Sequence, residues 1–228
     1  MSPLVKALER FNRKERFWLL SDAVGREVPD NVTQRIDLNQ RFTDKLEKEL
    51  RTRNSNLTIP EGAWWAFDYH LDWLFAVLEF APEKYKLNFR PRPNDGADPG
   101  DKYIRGTQED CDLIIAFDST IILVEAKVGE SWSNAQLTRK MGRLKRLKSP
   151  ENTKIYFVLA SRDRPKHIKR DGWPDWAFKN KADQEPFWIP LELRESSKSW
   201  LKVTRCDNDK NWTSNADGEF WRLCGAGQ

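Results

Sequence analysis

Histidine and cysteine are scarce in this chain. His70 and His167 are the only histidines, and Cys111, Cys206 and Cys224 stand far apart with no CxxC pair. A structural zinc site draws its ligands from closely spaced Cys and His pairs, so none is expected. No apolar run approaches the roughly 20 residues that cross a bilayer. The opening Met-Ser-Pro-Leu-Val-Lys lacks a signal-peptide core. These absences predict a reduced, cytoplasmic protein with no membrane partner. Internal repeats are missing too, and neither sign of charge dominates: a formal net charge of +4 does not by itself indicate nucleic acid. What is plentiful is aromatic bulk, with eleven Trp and twelve Phe in 228 residues and a hydrophobic fraction of 39%. That is enough for a real core in one large domain, or in a core with a helical appendage.

The most informative stretch is Cys111-Asp112-Leu-Ile-Ile-Ala-Phe-Asp118-Ser119-Thr120-Ile-Ile-Leu-Val-Glu125-Ala126-Lys127. Two apolar, largely β-branched runs flank a short polar break, which reads as a β-hairpin. Charges at the ends of buried strands are costly to desolvate without a partner or a metal. With a two-residue turn at Asp118-Ser119, Asp112 lies opposite Glu125 and Ile114 opposite Leu123. Opposed Cβ atoms sit about 4.5–5.5 Å apart, so both carboxylates can hold one divalent cation. A loop with an odd number of residues would put the acids on opposite faces unless a bulge intervened. Asp110, sharing a face with Ile114, and Glu109 are rivals for the role of Asp112. The bland alternative is a solvated strand end with an incidental Glu/Lys pair.

An acid opening one strand and Glu-Ala-Lys closing the next resembles the PD-(D/E)xK phosphodiesterase superfamily, the restriction-endonuclease-like nucleases. The resemblance covers roughly residues 64–161, and Cys111 departs from it by standing where the motif's name has proline. It implies an α/β fold with an αβββαβ core, a mixed sheet flanked by helices. It implies Asp112 and Glu125 as Mg²⁺ (or Mn²⁺) ligands, Ala126 as donor of a backbone carbonyl, and Lys127 as catalytic base or charge stabiliser. The helix before the sheet often supplies a further acid in that family, which makes Glu79 or Asp72 a candidate; the alternative is that they mark a wet helix face. Gln136 is an auxiliary candidate, because some members carry glutamine there with tyrosine four residues on. Here that later position is Lys140.

Elsewhere the pattern predicts a helical N-terminal segment over 1–60, packed on a core of 61–228 with a Trp-rich C-terminal region. Ser2-Pro3 reads as a helix start, and a second helix is expected over about 33–51 with Phe42, Leu46 and Leu50 as its stripe. Residues 63–81 predict one buried helix carrying Trp64, Trp65, Trp73, Asp68, Asp72 and Glu79. A long irregular loop follows over 82–101, then a first sheet strand at Lys102–Arg105. After the hairpin, a helix is expected over about 132–148, with Leu137, Met141 and Leu144 buried. Its Arg139, Lys140, Arg143 and Arg146, with no acid between Ser133 and Pro150, suggest a phosphate-binding surface. Lys154–Ala160 reads as a buried parallel strand, and 187–193 as a further one. Arg162, Arg164 and Lys166 form a second basic cluster on a loop, and Trp132, Trp173 and Trp176 are candidates for base stacking. The expectation is a metal-dependent nuclease acting on nucleic acid, with DNA the favoured substrate and a homo-oligomer compatible with the sequence. The rivals are a non-catalytic binding module that keeps the fold and a subunit of a larger defence or mobile-element complex.

Overall fold

A computed structural model describes residues 1–28, 35–80, 91, 94, 102–106, 109–128, 132, 134–147, 153–192, 201–208 and 213–225. The chain is α/β, with a mixed six-stranded sheet and helices. Contacts divide it into two compact units, one made of Met1–Lys127 with Ser131–Pro190, the other of Val128–Glu130 with Leu191–Gln228.

The first unit opens with three helices. Helix α1 (Pro3–Glu9) starts where Ser2 accepts a hydrogen bond from the Val5 N–H at 3.3 Å and Pro3 takes the first helical position. Both devices fill the donor vacancies of a helix N-terminus. Helix α2 spans Glu15–Val24 and α3 spans Gln40–Leu50. The latter begins later than periodicity alone suggests because Asn39 caps it, accepting from the Arg41 N–H at 3.0 Å. Leu46 and Leu50 are fully buried, and so are Leu4 and Leu8 of α1.

Residues 63–81 do not form one helix. Trp64–His70 is strand β1, and only Leu71–Phe80 is helix α4. The run Trp-Trp-Ala-Phe-Asp-Tyr-His is dense in aromatics that suit a pleated surface, and it finds an antiparallel partner in β2 (Asp110–Phe117). The supposed stripe of Asp68, Asp72 and Glu79 therefore does not exist, since Asp68 is on a strand. Residues 103–106 are irregular rather than a first strand. The expected loop at 82–101 lies, apart from Pro91 and Asn94, outside the described residues.

Strand β2 turns directly into β3 (Thr120–Lys127), with Phe117 paired to Thr120 and Ile114 to Leu123. The turn is thus the two-residue Asp118-Ser119, and Asp118 takes φ 46°, the positive φ that primed hairpin turns require at their first central position. Helix α5 (Asn134–Leu144) buries Leu137, Met141 and Leu144 as its pattern demands. Strand β4 (Lys154–Ser161) then lies parallel to β3, in register from Thr120↔Lys154 to Lys127↔Ser161. After a single 3-10 turn at Asp175–Ala177, β5 (Phe178–Asn180) and β6 (Glu185–Pro190) complete the order β1-β2-β3-β4-β6-β5, with β6 parallel to β4. The central strands β2, β3 and β4 are almost entirely buried.

The second unit holds the antiparallel pair β7 (Leu201–Cys206) and β8 (Phe220–Gly225), which leaves Val203, Trp221 and Leu223 exposed. Among the described residues no helix is long and apolar enough to cross a membrane. All three cysteines are free and buried.

Candidate active site

The topology gathers one end of the sheet. The carboxyl ends of β1, β3, β4 and β6 and the amino end of β2 coincide there, and the crevice beyond the carboxyl ends of parallel strands is where open α/β sheets bind ligands. His70, Asp110, Asp112, Glu125, Lys127 and Ser161 all stand at this end. The β2–β3 ladder runs through Leu113↔Val124, and one residue further it sets Asp112 opposite Glu125. Alternation puts both carboxylates and Lys127 on one face of the sheet.

The two acids are held differently. Asp112 is half-buried, and its Oδ2 accepts the Ala126 N–H at 2.7 Å. That bond ties the first acid to the residue between Glu125 and Lys127, orienting it toward the third strand. Glu125 is 4% exposed, and its Oε2 accepts from Lys140 Nζ. Burial lifts its pKa to about 7, with the Asp112 charge adding and the Lys140 ammonium opposing. Lys140 is itself raised: burial pulls it down, but the attraction of Glu125, Cys111 and Asp112 together with the Glu125 hydrogen bond outweighs that. Lys127, half-buried, ends β3 with no ion pair to any described residue.

Helix α5 does not present the basic face that its composition suggests. Lys140 and Arg143 are 2% and 1% exposed, so neither is a surface for phosphates. Lys140 also donates to the Asp110 carbonyl at 2.6 Å. Arg143 bonds Asp72, the Tyr103 carbonyl at 3.0 Å and Glu109 at 3.1 Å, with its guanidinium 5.2 Å from the centre of the Phe75 ring. Arg139 reaches Glu109 at 3.1 Å from an exposed position. The physical reason is a local surplus of acid. Asp72, Glu109, Asp110, Asp112 and Glu125 converge near α5, and buried acids need cations close by. Arg146, half-buried, also makes an interaction, while Gln136 is exposed on the first turn of α5.

Asp72 opens α4, but its carboxylate belongs to this clamp. It accepts from Arg143 and from the Arg105 and Gly106 N–H groups at 3.2 and 2.8 Å. Burial would raise its pKa, yet these bonds together hold it below the ordinary value. The Glu79 side chain lies outside the described residues. Among the described residues, no group of three or more His, Cys, Asp or Glu side chains is arranged to hold a metal ion.

Three placements at this end of the sheet were missed by the sequence reading. Asp68 sits between the pairs Phe67↔Leu113 and Tyr69↔Cys111, in line with Asp112, at φ 48°, and pairs with Arg16 at 3.2 Å. Only recognising 64–70 as a strand would have found it. Asp110 lies 2.7 Å from Lys14 Nζ and 3.0 Å from His70 Nδ1; nothing in the sequence links Lys14 to this end of the sheet. Burial lowers the His70 pKa, Asp110 opposing and Lys14 adding. Lys140 did carry a signal: it falls at i+3 of the apolar stripe of Leu137, Met141 and Leu144.

On the loop after β4, Arg162 and Lys166 are exposed, and Arg164 is exposed while pairing with Glu185. Trp173 is not a stacking platform, because it is buried and lies parallel to Phe178 with centroids 5.8 Å apart; Trp132 and Trp176 are half-buried. No family model, curated protein or solved structure matches this chain.

Proposed function

We propose that the chain is a metal-dependent phosphodiesterase acting on nucleic acid, of the restriction-endonuclease-like kind. The observation that carries this reading is the hairpin register. Continued one residue past Leu113↔Val124, it sets Asp112 opposite Glu125 at the end of the sheet where the parallel strands β3, β4 and β6 finish, with Lys127 on the same face. The succession α3, β1, α4, β2, β3, α5, β4 supports it as well, departing from αβββαβ by the helix α4 placed between the first two strands.

The donor set fits a magnesium or manganese ion. Magnesium takes oxygen ligands and needs only one or two carboxylates, water filling the rest. Asp112 and Glu125 bring two carboxylates to one face of the sheet, against one buried lysine, Lys140. Asp112 and Glu125, with the Ala126 carbonyl, would hold the ion. Bound there, it would polarise a phosphoryl oxygen and lower the pKa of water. The chain's own part is positional and electrostatic. The Ala126 N–H fixes Asp112, Lys140 fixes Glu125, and the Lys127 ammonium stabilises charge building on the phosphoryl group. Arg162, Arg164 and Lys166, after β4 at the same end of the sheet, would hold the phosphate backbone.

One observation favours the second reading, a binding module without turnover: Glu125 is already engaged by Lys140. Incubation of plasmid, linear duplex, single-stranded DNA and RNA with Mg²⁺ or Mn²⁺ separates the two. We expect metal-dependent cleavage that drops by about 10²–10³-fold in Glu125→Ala and Lys127→Ala, in the range of losing a principal electrostatic group. Cleavage that survives both substitutions, or its absence on every substrate, would discard the enzyme reading.

A further inference from the structure

We infer that Lys140 is the internal counter-cation of the Asp112–Glu125 pair and that its charge sets how tightly the pair binds a divalent ion. This rests on the metal-site reading above and deepens it.

Lysine is the side chain most readily turned to water, having a long flexible stem and a strongly hydrated head. Lys140 does the opposite. It occupies the apolar stripe of α5 at 2% exposure and delivers its ammonium to Glu125 Oε2 and, at 2.6 Å, to the Asp110 carbonyl. Among the described residues Glu125 has no other side-chain partner and Asp112 has none. Two opposed carboxylates thus share one buried monovalent cation, with Lys127 half-buried two residues beyond Glu125. From the neighbouring strands Lys140 faces Glu125 of β3 and Cys111, Asp112 and the Asp110 carbonyl of β2, so among the described residues its ammonium is the cation bonded to the pair that any incoming dication must tolerate or displace. The second buried cation of α5, Arg143, is committed to Asp72 and Glu109.

Coulomb's law gives the sign of the effect. Removing one positive charge a few ångströms from the pair strengthens its attraction for a dication about twice as much as for a proton. Proton competition therefore does not cancel the gain. A merely structural lysine behaves in the opposite way: its loss disorders Glu125 and weakens metal binding.

The test is Mn²⁺ binding by calorimetry at pH 8 on the full chain, with melting temperatures in chelator and in Mn²⁺. Lys140→Met should bind Mn²⁺ at least about tenfold more tightly than wild type, the order expected for a unit charge at that range in a protein of intermediate dielectric. Its Tm should be lower in chelator and should rise further on adding the ion. Lys140→Gln, which keeps an N–H donor for Glu125 without the charge, gives the same direction and stands in if the methionine variant does not fold. Lys140→Arg should stay within about threefold of wild type, since the charge persists. Equal or weaker Mn²⁺ binding by both neutral variants, while wild type binds and Glu125→Ala does not, would overturn the role of Lys140. Absence of binding in wild type as well would overturn the metal site itself.

Discussion

Glu125 is where burial and charge conflict most. The carboxyl is 4% exposed, faces a second acid, and has a folded pKa of about 7 against an ordinary 4.5. A raised carboxyl pKa means that the folded state binds the proton more tightly than the unfolded chain. Stability from this group is therefore complete below about pH 4.5 and is lost as pH rises through about 7. In chelator, wild type should lose up to about 3 kcal/mol relative to Glu125→Gln between pH 5 and pH 8, following about 1.4 kcal/mol per pH unit of displaced pKa. Urea unfolding of both proteins at the two pH values measures it, and a difference that does not change with pH would refute the assignment. Asp72 behaves inversely. Its lowered pKa supplies stability that is present above its ordinary value of 3.8 and disappears as pH falls below it.

At the scale of elements, the hairpin turn decides the site. A strand slipped by one residue turns every side chain to the other face, so Asp112 and Glu125 share a face only because the turn uses two residues. Asp118 holds that turn at φ 46° in an exposed position. Aspartate tolerates the left-handed region, glycine is at ease there, and a β-branched residue is not. Asp118→Gly should leave stability within about 0.5 kcal/mol, whereas Asp118→Val should lower it by about 1–2 kcal/mol, the cost of a left-handed backbone for a residue with a bulky Cβ. Denaturant midpoints compare the two; equal stability in both variants would mean that the turn geometry is not what the hairpin needs. Strand β1 teaches the complementary lesson. Apolar over most of its length, 63–81 matches a buried helix and a buried strand equally in composition, and pairing with β2 breaks the tie for 64–70.

For the whole molecule, the arrangement of charge matters more than the net +4. The cations of α5 divide: Lys140 and Arg143 face inward against acids, and Arg139 is exposed but paired with Glu109. That shifts the expected phosphate contact toward the loop after β4, where Arg162 and Lys166 are exposed. Each lysine or arginine that neutralises a phosphate contributes roughly one unit to the slope of log affinity against log salt. Replacing Arg162 and Lys166 by alanine should reduce that slope by about 2 for duplex DNA bound by the Glu125→Ala protein. Fluorescence anisotropy across a salt series gives the slope, and an unchanged value would remove the loop from the interface.

The local code of the chain was sufficient for the hairpin, the burial of the apolar stripe of α5 and the parallel strand β4, and it made the opposition of Asp112 and Glu125 conditional on a two-residue turn. Each depends on periodicity and turn chemistry among residues close in sequence. Lys14 beside Asp110, Arg143 between Asp72 and Glu109, and Asp68 in line with Asp112 came only from the folded molecule. Composition can show that α5 is basic, but which way a cation points depends on where the acids of other elements come to rest. Buried charge must be matched over a few ångströms, and only tertiary structure brings residues 14, 72, 109, 125 and 140 within that distance.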